Sequence, residues 1–184
     1  MVLIVVSLSS WALYEFYLEE HWIDRFDPYV VYRYTLSVSS NSSEEYTVYC
    51  PFISDYGGVV CSEALSYLYY SFDSDVSIVS TERGDALEVV GSGVTLVSLD
   101  VRSELPGLWE RFEEFSSLSL VEQPWHSGNA SFHSTAGWLI VGLVFDFHYV
   151  YGSLGADFIR FETEGTLQDS GWSELPLDYS HAVS

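Results

Sequence analysis

The sequence predicts a mainly β protein, an antiparallel β-sandwich of jelly-roll-like or Ig-like form, with one or two short helices and an N-terminal apolar helix. Three observations carry that expectation. The first is the stretch 138–151, WLIVGLVFDFHYVY. One of its faces is Leu139, Val141, Leu143, Phe145, Phe147, Tyr149 and Tyr151; the other is Trp138, Ile140, Gly142, Val144, Asp146, His148 and Val150, polar only near its end. A period of two with one apolar face marks a strand buried on one side and partly covered on the other. A core helix is the alternative, and the β-branched and aromatic content with the break at Gly142 favours the strand. The second observation is that about nine such short runs recur, separated by Gly, Pro, Asn and Ser turns, as in a sandwich or barrel. The third is that helical spacing is clear mainly at Leu105, Leu108, Trp109, Phe112 and Phe115, a short surface helix in a long connection.

Taken in order, residues 1–18 carry Glu15 as their one charged residue, and Trp11, Tyr14, Phe16, Tyr17 and Trp22 resemble an interfacial aromatic belt. The run falls short of the ~20 apolar residues of a full span. No Lys or Arg precedes it, so it lacks the basic start of a secretory signal. Residues 1–24 therefore read as an N-terminal apolar helix, the remaining part of a membrane anchor, with a buried amphipathic helix as the alternative. Asp27–Pro28 ends it. Residues 28–179 form a single domain and 180–184 a free end.

Within the domain, 29–38 alternates cleanly and is the first strand. A serine-rich turn, 39–43, joins it as a hairpin to a second strand at 46–50. Ser62 offers an N-cap for a short helical turn, and 67–72 is compatible with strand. Runs 76–81, 86–90 and 94–99, joined by Gly-containing turns, form a meander. Strands at 117–121, 130–133, 138–151 and 157–164 follow, and 165–179 supplies one short edge strand.

A chain of 184 residues with 48% hydrophobic content suits one domain with a full core. Against 27 acidic residues stand 6 basic ones, all arginine, for a net charge of −21. Such a surface repels phosphate backbones and anionic headgroups, which excludes a nucleic-acid function. It suits a protein kept soluble in high salt with bound cations, because a Debye length of about 3 Å at 1 M removes the self-repulsion. Excess acid without lysine resembles proteins of salt-loving archaea; an acid-loving host or a cation-gathering surface would use the same composition.

Cys50 and Cys61 flank a turn-rich loop whose ends can face each other, which predicts a disulfide; two buried free thiols are the alternative. Asn41 and Asn129 are the only asparagines, and both begin Asn-x-Ser sequons, so both are candidate glycosylation sites.

Candidate chemistry is sparse. Asp146 and His148, two apart on a strand, share a face and are the one pair suited to acid-base work, against the plain reading of a solvated surface pair. No serine sits in a nucleophile elbow, so no hydrolase follows. His126, His133, His148 and His181 match no metal spacing. Asp73 and Asp75 suit at most a loose cation site, lacking the glycine and distal glutamate of a calcium loop. Trp109, Trp125, Trp138 and Trp172 lie at segment ends or in connections and are candidates for ligand contact. No cofactor is implied.

The succession of an aromatic-rich start, Pro-Tyr-Val-Val-Tyr-Arg-Tyr-Thr-Leu, Tyr-Thr-Val-Tyr with a following Pro, Glu-Arg-Gly-Asp-Ala-Leu-Glu-Val-Val-Gly-Ser-Gly, Gly-Asn-Ala-Ser and a late Gly-Trp resembles uncharacterised archaeal envelope proteins. The resemblance implies one membrane span and an exported β-rich domain. The expected function is then non-enzymatic: an envelope or secreted protein held at the membrane by its N-terminal segment and serving surface interaction, assembly or contact with a protein or glycan. The alternative is a carbohydrate-binding module or carbohydrate-active enzyme with an aromatic-lined cleft.

Overall fold

Twelve antiparallel strands account for most of the described chain: β1 (Tyr29–Ser40), β2 (Glu45–Cys50), β3 (Ile53–Ser54), β4 (Tyr69–Tyr70), β5 (Asp75–Thr81), β6 (Gly84–Ser92), β7 (Val94–Glu104), β8 (Ser117–Leu118), β9 (Gly128–Ser134), β10 (Leu139–Val150), β11 (Ala156–Leu167) and β12 (Gly171–Val183). Among the described residues a 3-10 helix, Ser62–Tyr67, precedes β4. The computed structural model describes residues 29–54, 62–104, 117–121, 128–150 and 156–183. The predicted apolar helix at 1–24, the surface helix at 105–115, Cys61, Trp109, Trp125 and His126 lie outside them.

Ten strands form one sheet in the order β4-β7-β1-β10-β11-β12-β9-β2-β6-β5, and β3 pairs with β8 in a small separate ribbon. The sheet is rolled nearly into a barrel, rather than divided into the two layers of the expected sandwich. The reason lies in β12. Its residues 178–183 pair with β11, and its residues 171–177 pair on the other side with β9. One continuous strand therefore belongs to both halves, and the sheet bends there instead of ending. The free end expected from residue 180 is part of this ladder, and the short edge strand expected within 165–179 belongs to an interior strand of 13 residues.

The same logic changes two expected connections. β1 pairs along its length with β10 and β7, so both its edges are taken; β2 pairs with β6 and β9. The serine turn thus carries the chain across the barrel instead of closing a hairpin. β5 and β6 do form a hairpin, whereas Gly93, at φ 61°, turns the chain from β6 into a strand on the other half. The Ser40 amide donates to the Gly93 carbonyl at 2.7 Å and fixes that corner. Gly91 is required beside it, because a Cβ there would run into Thr95 Oγ1.

The inward faces supply the core: Tyr34, Leu36 and Val38 from β1, Leu139, Val141, Leu143, Phe145 and Phe147 from β10, and Tyr46 and Val48 from β2, all buried. Two tyrosines tie the halves together. Tyr34 donates its hydroxyl to the Pro51 carbonyl at 2.8 Å and meets Phe52 edge-on, with centroids 5.1 Å apart. Tyr46 donates to Thr95 Oγ1 at 2.8 Å. Burial pushes the Tyr34 hydroxyl pKa well above its ordinary value, with nearby Cys50 adding to the effect. Cys50 is itself a buried free thiol, held protonated by its apolar surroundings.

The Tyr34 site has a measurable consequence. Tyr34→Phe leaves the buried Pro51 carbonyl without its donor, costing about 1–2 kcal/mol in a denaturant melt near pH 8. A raised folded-state pKa means this group's stabilisation is full below the unfolded value, about pH 10, and declines as pH rises above it. The alkaline loss of stability above pH 10 is therefore shallower in Tyr34→Phe than in the parent.

Candidate functional site

The outward face of β7, β1, β10, β11 and the end of β12 is built in rungs, because these strands pair in continuous register. One charged rung runs Asp100, Arg33, Asp146, Arg160, Ser180. The next is Ser98, Thr35, Val144, Glu162, Asp178. Below it come Leu96, Ser37, Gly142, Glu164, and then Val94, Ser39, Ile140, Thr166. The face therefore grades from alternating charge, through small hydroxyl residues, to exposed aliphatic side chains.

In the charged rung, Arg160 Nε and Nη2 donate to the two oxygens of Asp146 at 2.6 and 2.8 Å. This bidentate pair buries Asp146 and raises the Arg160 pKa, chiefly through the hydrogen bond to Asp146. Arg33 pairs with Asp100 at 3.2 Å in the open. His148 lies one rung further, half-buried and edge-on to Phe158 at 5.8 Å. Asp146 and His148 do share a face, but the Asp146 carboxylate is committed to an arginine.

Beneath that rung lies a groove of about 550 Å³. Thr35, Ser37 and Gly142 make its floor, and Glu162, Glu164 and Asp178 its acidic bank. Gly142 keeps the floor low: a Cβ there would approach Ser37 Oγ to 2.9 Å. The ladder from β11 to β12 stops at Glu162↔Asp178, and Thr163, between Glu162 and Glu164, pairs with the core residue Leu143 and turns its side chain to the inner face. Thr163 is 6% exposed, and its Oγ1 has no hydrogen-bond partner in the protein. Among the described residues, neither Glu164 nor Asp178 is ion-paired, while Glu162 has Arg160 at 4.0 Å. Outside the groove, on β7, Leu96 is 49% and Val94 72% exposed, and Ile140 and Trp138 are exposed as well.

Trp138 precedes β10 rather than opening it, at φ 59°, a left-handed conformation that bulky side chains rarely adopt. Trp172 is half-buried on the other half of the sheet. Its Nε1 donates to Glu82 at 2.8 Å, and the Arg83 guanidinium lies 4.8 Å over its ring. It meets His133 edge-on, and His133 stacks on Tyr49. His133 Nδ1 is buried without a partner. His181 is exposed on β12. Asp73 and Asp75 are exposed beside a smaller groove of about 280 Å³ that also holds Glu45. Among the described residues, no three His, Cys, Asp or Glu side chains converge on a metal position. Asn41 and Asn129 are both exposed, as glycan acceptors must be.

Sequence reasoning missed Glu162, Thr163, Glu164 and Asp178. The available signal was the Glu-Thr-Glu alternation on a strand and the small residues Ser37 and Gly142. Their meeting depends on register, which no local pattern specifies. Comparison with protein-family models, curated proteins and solved structures gives no match to this chain.

Two substitutions check this geometry. Thr163→Val removes a buried, unpartnered hydroxyl and raises stability by about 1 kcal/mol in a chemical melt. Asp146→Asn leaves Arg160 without its carboxylate and lowers stability by about 1–2 kcal/mol, moderated because the arginine is part-exposed.

Proposed function

We propose that this chain is a non-enzymatic contact protein of the cell envelope, which engages a partner through the outward face of β7, β1 and β10. The observation that carries the reading is the exposed apolar bank of Val94, Leu96, Ile140 and Trp138. Sheet faces open to water ordinarily carry polar side chains, and contiguous exposed apolar groups mark contact surfaces. Strain at Trp138 supports it. A tryptophan held at positive φ costs roughly 1–2 kcal/mol relative to glycine, and such strain collects where a side chain is displayed for use. The acidic surface and the two exposed sequons suit an outward-facing position in salt. Carbohydrate stacking is the weaker reading, because the groove floor is Ser, Thr and Gly rather than Trp or Tyr.

Photo-crosslinking in intact cells tests the proposal. A benzophenone amino acid in place of Leu96 or Ile140 is expected to give covalent adducts with an envelope component, and one in place of Glu44 to give none. Cytosolic recovery of the chain both with and without residues 1–18 would defeat it. Trp138→Gly is expected to melt about 1 kcal/mol more stably while weakening the crosslink at Ile140. Equal crosslinking would remove Trp138 from the surface.

A further inference from the structure

We infer that two copies of this chain associate through the β4 end of the sheet, with Tyr67, Tyr69, Tyr70 and Phe72 of each packed across a two-fold axis. The inference goes beyond the contact reading and rests on other side chains. Three observations lead to it.

First, the rolled sheet ends at β4. That strand pairs with β7 at Tyr69↔Ser98 and Tyr70↔Val97, and with no other strand among the described residues. Register puts Tyr70 on the same side of the sheet as Val97, which is fully buried, yet Tyr70 is 50% exposed. The core-facing side is therefore left uncovered at this edge, whereas the inner positions of β1 and β10 are sealed.

Second, the apolar surface at this edge is large. Tyr67 is 55%, Tyr69 74% and Phe72 103% exposed. A whole aromatic side chain carries roughly 150–250 Å², so these four present about 600 Å² per copy. Two copies meeting here remove about 1,000 Å² from water, which reaches the lower end for a specific protein interface. Exposed apolar patches of this size on a folded chain ordinarily mark contact sites.

Third, charge selects the occupant. Residues 64–72, ALSYLYYSF, carry no charged side chain, on a chain of net charge −21. A basic partner is drawn to the acidic surfaces instead, while a second copy can approach only where acid is absent. A two-fold contact is also self-complementary. Antiparallel pairing about the axis sets Tyr69 beside Tyr70 of the second copy and keeps the two Asp73 side chains at opposite ends of the contact.

Sedimentation velocity of the full chain at low and high salt tests the inference. Between about 0.01 M and 1 M the Debye length falls from about 30 to about 3 Å, and the two acidic chains cease to repel each other. A species of twice the 20.8 kDa chain mass is expected at high salt, and the monomer at low salt. The area involved corresponds to a dissociation constant of about micromolar order. Tyr69→Ser with Phe72→Ser is expected to weaken dimerisation about tenfold or more, and the control Ile140→Ser less than twofold. All three side chains are exposed, and circular dichroism melts establish that each variant is folded. In the purified protein, a benzophenone amino acid in place of Phe72 is expected to give a covalent dimer, and one in place of Ile140 to give none.

A monomer at both salt concentrations, at protein up to about 100 μM, would overturn the inference. A dimer that Tyr69→Ser with Phe72→Ser leaves intact would do the same, since the contact would lie elsewhere. So would a dimer that dissociates as salt rises, because charge pairs would then be holding it. A monomer that binds phosphatidylcholine vesicles through Tyr69 and Phe72 would overturn it in favour of a lipid surface. None of these outcomes touches crosslinking of Ile140 to an envelope component, so the contact reading stands or fails separately.

Discussion

β12 changes its hydrogen-bonding partner between Leu177 and Asp178, and the architecture follows from that change. A strand that gave all its length to β11 would leave β9, β2, β6 and β5 to pack as a separate layer. Shared, it keeps ten strands in one sheet and makes the sheet curl around a single core. Pro176 fits this position because it has no amide to donate, and the ladder to β11 has already ended. The same change ends the β11 ladder at Glu162 and lets the Leu175 side chain pack against Gly165, where a Cβ would collide with it.

The two faces of the rolled sheet answer different demands. The inner one is apolar apart from tyrosine hydroxyls, Cys50 and a few small polar groups, and the tyrosines satisfy buried acceptors on the opposite half. The outer one carries much of the chain's acid, and it tolerates that acid unevenly. Where arginine alternates with aspartate across β7, β1, β10 and β11, neighbouring strands attract each other. One rung lower, Glu162 faces Asp178 and the sheet is locally repulsive. Arg160, 4.0 Å from Glu162, offsets part of that repulsion from within the chain. Nearer the other end of the same face, the apolar side chains of Val94 and Ile140 stand exposed.

Strand existence was legible from alternation: β1, β2, β5, β6, β7, β10 and β11 occur where the two-residue pattern of Val, Ile, Tyr and Phe predicts them. The long β12 was not, because Pro176 and a polar sequence disguise a strand whose inward positions are Leu175 and Leu177. Hairpins were misassigned where a short turn joins strands that never pair, as at Ser39 to Ser43, because turn chemistry specifies a reversal but not its destination. Asp146 was singled out correctly as unusual on its face, yet its partner is Arg160 on the next strand rather than His148 two residues away. The acidic bank was hidden among 27 carboxylates until register aligned three of them. Cross-strand neighbours are set by tertiary pairing, and a single chain's local pattern does not carry them.

Amide hydrogen exchange of β12 in rising denaturant tests the shared strand most directly. If one sheet is rolled about this strand, the amides of residues 171–177 that face β9 and those of 178–183 that face β11 open together, with one free energy equal to that of global unfolding. Separate openings, with either set exchanging at clearly lower free energy, would mean two sheets meeting at a loose seam, and would contradict the architecture from which the groove derives.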